Sequence, residues 1–168
     1  MKQLVVYEDA VNLLDADHKA VKQMFVAYGA FCDDDAPAGH KLALAQRICQ
    51  ALTVHAQLEE EIFYPAARTA LHDDTLMDEA LAEHAQAKEL IARKVAMKPT
   101  SPACDATVKQ LGMLIDAHVL KEREQIFLEA SRSALDLRGM RQAGRARTAA
   151  ASLRATSAAT CIARRCRT

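Results

Sequence analysis

The 168-residue chain has no tryptophan, four phenylalanines, three tyrosines, five glycines and four prolines. β-Sandwiches and barrels draw on frequent turns and on aromatic or β-branched strands, so this scarcity argues against an all-β fold. No apolar run approaches the roughly 20 residues of a membrane-spanning helix. The opening MKQLVVYEDA offers four apolar residues before Glu8, about half of a secretory core. The expected location is therefore the cytoplasm, with no membrane as partner. The five cysteines (Cys32, Cys49, Cys104, Cys161 and Cys166) are odd in number and nowhere spaced CxxC. That excludes a simple disulfide framework or zinc ribbon and fits free thiols in a reducing compartment. Acidic residues are absent after Asp136. Residues 1–137 carry 14 basic and 22 acidic residues, a net −8, and the rest carries eight arginines. This basic stretch lacks lysine, aromatic residues and an amphipathic stripe, so nucleic acid is not the expected partner.

What the chain has is alanine, 34 of 168 residues, the best helix former. Apolar residues recur at spacings of three and four, which predicts four helices. The first runs from about Val5 to Phe31 and the second from about Pro37 to Ala70, with a kink or early end at Pro65. The third spans about Thr75 to Met97. The fourth starts near Ala103, with Gly139 as its first plausible stop. The breaks at 33–37, 72–74 and 98–102 are short, which favours antiparallel neighbours. The expectation is an all-α, antiparallel up-down-up-down four-helix bundle over residues 1–137. Residues 138–168 lose the stripe and read as a poorly packed, frayed or disordered basic tail.

Polar residues interrupt each apolar stripe. His18, His55, His84 and His118 fall one per helix, and Glu59 and Glu122 stand four residues after His55 and His118. Positions i and i+4 share a helix face, so each His-x-x-x-Glu offers a nitrogen and a carboxylate to one small volume. Counted from the loops at ~1.5 Å per residue, all six lie near mid-height of the bundle. Two carboxylates buried together would repel and stay protonated. One or two cations remove that conflict. Imidazole and carboxylate without cysteine suit iron, manganese or zinc, and two carboxylates on opposing helices can bridge a metal pair. The Glu-x-x-His pairs of ferritin-like sites are absent. His40 and His72 lie at helix beginnings or turns, outside this set.

Around these residues the stretches LLDADHKAVKQMFVAY, ICQALTVHAQLEEEIFYPAAR, DEALAEHAQAKELIAR and DAHVLKEREQIF resemble hemerythrin-like proteins with the HHE cation-binding domain. The resemblance covers about residues 7–137. It implies a non-haem centre of two iron ions, with manganese or zinc as other occupants. His18 and His55 would bind one iron, His84 and His118 the other, and Glu59 and Glu122 would bridge. It further implies that the protein binds or senses dioxygen, nitric oxide or peroxide, so its partner is a small diatomic ligand or peroxide. The alternatives are a di-iron enzyme of peroxide or oxidative chemistry, and an iron-handling or iron–sulfur cluster repair protein. Oxygen-carrying relatives have a further histidine where Ala80 stands, and a histidine followed by Asp at five rather than Glu at four in the last motif. The usual Phe-Pro of the fourth helix is Phe127-Leu128 here. These departures leave one iron with a more open shell and point away from simple oxygen carriage. Tyr28, on the same helix as His18, is a candidate for orienting it.

Overall fold

The computed structural model describes residues 8–98 and 101–146. Helix α1 is Ala10–Asp33 and α2 is Ala38–Leu58. A wide π turn, Glu59–Phe63, joins α2 without a break to α3, Tyr64–Leu71. Helix α4 is Asp74–Ala96. Helix α5, Pro102–Lys121, passes through a second π turn, Glu122–Ile126, into α6, Phe127–Arg132. No strand occurs among the described residues, and the chain is an all-α helical bundle.

Local chemistry sets the ends. Asp9 and Asp73 accept from the backbone N–H of Asn12 and Leu76, each at 2.9 Å, and Ser101 accepts from Ala103 at 3.2 Å. These are N-terminal caps that satisfy otherwise orphaned donors. Pro102 takes the first helical position, where its missing N–H costs nothing. His72 closes α3 in the left-handed region, φ 55°.

Cross-helix pairs fix the topology. Tyr28 and Lys41 both reach Asp105 at 2.7 Å, while Arg123 reaches Asp15 at 2.8 Å, so α1 runs against α5. Lys88 meets Glu60 at 2.6 Å and Arg68 meets Asp74 at 2.7 Å, so the α2–α3 rod runs against α4. Lys121 meets Glu83 at 2.6 Å, and Thr107 donates to the Met97 sulfur at 3.5 Å, so α4 runs against α5.

The apolar core is divided. One cluster holds Val21, Leu44, Ile48, Leu52, Leu90, Val108 and Leu111. The other holds Leu14, Phe63, Tyr64, Met77, Ala80, Ile126 and Phe127. Between them lies a layer of six buried polar residues: His18, His55, Glu59, His84, His118 and Glu122.

Three expectations need correction. The irregularity near Pro65 starts six residues earlier, at Glu59. There the wider turn lets Tyr64 N–H bond to the Glu59 carbonyl and makes room for the proline ring. The fourth rod ends at Ser133, not Gly139. The Ser133 hydroxyl turns back to the Ala130 carbonyl at 2.8 Å and its backbone is extended. The tail is not frayed from residue 138: positions 137–146 are helical. Asp136 caps this stretch by accepting from Gly139 N–H at 2.9 Å. A Cβ at Gly139 would collide with that carboxylate, so the glycine serves the start of a helix. Leu135, Leu137 and Met140 pack on the second cluster. Apolar residues at 135, 137 and 140 suffice for this docking despite the missing stripe. Residues 147–168 lie outside the described residues.

Candidate metal centre

All six residues expected at the centre meet in one layer. His18 comes from α1, His55 from α2, His84 from α4 and His118 from α5, and each carboxylate opens a π turn. The imidazoles form two pairs. His18 Nε2 and His55 Nε2 are 2.8 Å apart, and His84 Nε2 and His118 Nε2 are 3.2 Å apart. The carboxylates lie between the pairs. Glu59 Oε1 is 3.0 Å from His55 Nε2 and Oε2 is 3.3 Å from His84 Nε2. Glu122 Oε2 is 3.3 Å from His18 Nε2 and 3.8 Å from His118 Nε2. Each carboxylate therefore spans both pairs.

The electrostatics are those of a site built for cations. Glu59 is 0% exposed and Glu122 1%, yet Glu59 Oε1, Glu59 Oε2 and Glu122 Oε2 take no well-aligned hydrogen bond. A buried carboxylate oxygen without a partner costs about 1–3 kcal/mol or more. Burial, and then the charge of Glu59, push Glu122 well above the ordinary carboxylate range. Burial also acts to raise Glu59, but the charge of His55 beside it holds it well below that range. Burial and the neighbouring His55 drop His18 to about 3. His55 goes the other way, to about 10, because the charge of Glu59 outweighs its burial. The four Nε2 atoms and the orphaned oxygens are the donor set of first-row divalent or trivalent metals. Two groups can hold an ion: His18, His55, Glu59 and Glu122; and Glu59, His84 and His118. The residues present fit a metal pair.

The outer nitrogens matter too. His84 Nδ1 lies 2.9 Å from Glu60 Oε1, and His118 Nδ1 lies 2.7 Å from Glu83 Oε2. With Nδ1 donating to a carboxylate, Nε2 presents its lone pair inward.

Sequence reasoning missed Tyr64. Its buried hydroxyl donates to Glu122 Oε1 at 3.0 Å and lies 3.3 Å from His84 Nε2. It shares a cluster with Ala80. The π turn hides it, because strict 3.6-residue counting does not carry position 64 to the face of Glu59. Tyr28, the expected partner of His18, is instead bonded to Asp105 at 2.7 Å in the other cluster. His40 and His72 are exposed and outside the layer.

On the face away from the carboxylates the four imidazoles border a cavity of about 30 Å³, walled by Leu52, Ala87, Ile91, Ile115 and Val119. Thr53 also lines it, with its hydroxyl committed to the Cys49 carbonyl at 2.8 Å.

A helical bundle with a central His/Glu cluster of this kind defines a metal-binding helical protein. The chain belongs to the hemerythrin HHE cation-binding domain family, which matches residues 9–130. Its fold is similar to that of an HHE cation-binding domain-containing protein of Mycobacterium kansasii, a homolog of Rv2633c. The TM-score is 0.65 at 19% identity, covering 83% of this chain and 84% of that one. The chain is also 31% identical over 81 residues to a DNA nickase of Nostoc sp. (strain PCC 7120), across 48% of this chain but only 23% of that protein. No described helix is long and apolar enough to cross a membrane.

Proposed function

We propose that the protein is a non-haem dinuclear iron protein that binds or senses a small uncharged ligand, dioxygen or nitric oxide, in the cytoplasm. His18 and His55 would hold one iron, His84 and His118 the other, with Glu59 and Glu122 shared. Iron at these positions would supply redox exchange and a coordination position for a small molecule. The chain's own residues do the rest. Glu60 and Glu83 set the tautomers of His84 and His118. Tyr64 orients Glu122. The clusters above and below exclude water.

The observation that carries this reading is the cavity. At about 30 Å³ beside all four imidazoles, it has room for one or two water-sized molecules and none for an organic substrate, whose pockets run to hundreds of Å³. Its apolar wall, with the Thr53 hydroxyl already bonded, favours dioxygen and nitric oxide over peroxide. Three free thiols among the described residues, Cys32, Cys49 and Cys104, fit a reducing compartment.

One observation favours a second reading, an oxidative enzyme: the Tyr64 hydroxyl is a buried proton donor against Glu122 and His84. Exposing the reduced, iron-loaded protein to oxygen or nitric oxide and following its visible bands separates the two. Reversal on removing the gas supports binding. Continued consumption of reductant or peroxide, lost in Tyr64→Phe, supports the enzyme. Iron content far below two per chain would refute both.

A further inference from the structure

Resting on the dinuclear reading above, we propose that the two metal positions are unequal: the His84–His118 position is filled first and retained, and the His18–His55 position is filled second and exchanges.

The inference comes from a near-repeat within the chain. The rods α1 and α2–α3 carry Asp17-His18, then His55-x-x-x-Glu59-Glu60, then Tyr64. The rods α4 and α5–α6 carry Glu83-His84, then His118-x-x-x-Glu122-Arg123, then Phe127. Each Glu opens a π turn, and the aromatic residue follows that turn. Each aromatic ring lies against the first histidine of the other half. Tyr64 is 5.3 Å from His84 between ring centroids, and Phe127 stacks on His18 at 5.6 Å.

Against this common plan the differences in the groups that hold the histidines' outer nitrogens favour one side. Glu83 reaches His118 Nδ1 at 2.7 Å, while its counterpart Asp17, shorter by one methylene, stops 3.7 Å from His55 Nδ1. Glu60 reaches His84 Nδ1 at 2.9 Å. Its counterpart is Arg123, a cation that pairs with Asp15 instead, and His18 Nδ1 is buried without a hydrogen bond. The two anchoring carboxylates are themselves held, Glu60 by Lys88 and Glu83 by Lys121, each at 2.6 Å. Tyr64 adds a hydroxyl on that side, where Phe127 adds none on the other. Glu59 spans both sides; Glu122 Oε2 lies nearer His18 Nε2, at 3.3 Å, than His118 Nε2, at 3.8 Å, and this one difference runs against the outer supports.

A carboxylate on Nδ1–H fixes the imidazole's orientation and tautomer and makes Nε2 a better donor, an effect of about 10–100-fold in metal affinity. Glu60 and Glu83 are thus positioning residues that act through His84 and His118. The test is an anaerobic titration of the metal-stripped full chain with cobalt(II), read by visible absorption and equilibrium dialysis. Two steps are expected, the first tighter by about 10-fold or more. Glu60→Gln and Glu83→Gln should each weaken the first step by about 10–100-fold and leave the second unchanged. Asp17→Asn should leave the first step unchanged. Both glutamates are partly exposed, so the amides keep the fold, which circular dichroism checks. The wild-type titration stands independently of the variants. Two equal steps, or glutamine variants that shift neither step or only the second, would overturn the inequality. Uptake of fewer than two cobalt ions would overturn the dinuclear reading itself.

Discussion

Replacing Glu122 with methionine should move stability in opposite directions with and without metal. The side chain is 1% exposed, Oε2 has no aligned hydrogen bond, and burial and the charge of Glu59 push its carboxyl well above the ordinary range. Methionine has similar volume and removes that conflict. Relieving a buried unsatisfied oxygen is worth about 1–3 kcal/mol, and Tyr64 gives up one hydrogen bond worth about 1 kcal/mol. The metal-free variant should therefore gain about 0–2 kcal/mol. The 137 described residues imply an unfolding entropy of about 0.29 kcal/mol per degree, so the melting temperature rises by up to about 7 °C. The loaded wild type carries the opposite term. Metal at 100 times its Kd stabilises by about 2.7 kcal/mol, about 9 °C on the same scale, and the variant loses most of it. Thermal melts of both proteins in excess cobalt(II) and in chelator give the four values. If the variant also melts several degrees lower in chelator, Glu122 is a structural residue and the argument from its burial is wrong.

Three further outcomes are expected. Ending the chain after Asp136 should preserve metal uptake but lower stability by about 1–3 kcal/mol, since Leu137 and Met140 leave the second cluster; a denaturant melt of the truncated chain measures this. Ala87→Leu should fill the cavity beside the imidazoles, slowing azide binding to the loaded protein without changing metal stoichiometry, and an unchanged rate would place ligand access elsewhere. Asp105 is held below the ordinary carboxylate range: burial opposes this, but hydrogen bonds from Lys41 and Tyr28 outweigh it. Its contribution is present above the unfolded pKa and lost as pH falls through the folded one. Asp105→Ala should therefore cost about 1–3 kcal/mol at pH 7 and progressively less in the acid range, as read from melts along a pH series.

The six residues of the central layer could be read from the chain because each breaks a 3.6-residue apolar pattern, and because His55–Glu59 and His118–Glu122 repeat one spacing. The four rods followed from the same periodicity and from short, proline- and aspartate-rich breaks. Tyr64 was not legible, since its approach depends on a turn that departs from 3.6 residues. Tyr28 was misleading for the converse reason: its spacing from His18 is right for the face but wrong for the height. Glu60, Glu83 and Lys88 break no apolar stripe and repeat no spacing, and only the distances between helices tie them to the histidines. The docked stretch 137–146 escaped notice because a few contacts hold it, without a regular stripe.

The two π turns have a consequence for how this chain can vary. Each is a phase joint. Upstream, rotation is locked by histidines and carboxylates that must share a centre. Downstream, it is locked by Ala67 or Ala130, both fully buried. A π turn takes up one residue more than an α-helical turn over the same rise. Losing a residue there would re-index everything after it by about 100°, swinging Tyr64 or Phe127 off the opposing histidine. Losing one elsewhere in the rod would break the ligand spacing or the packing of the distal half. Length is therefore free to change in the loops, while each rod keeps its odd residue as the offset that lets two incompatible registers coexist on one continuous helix.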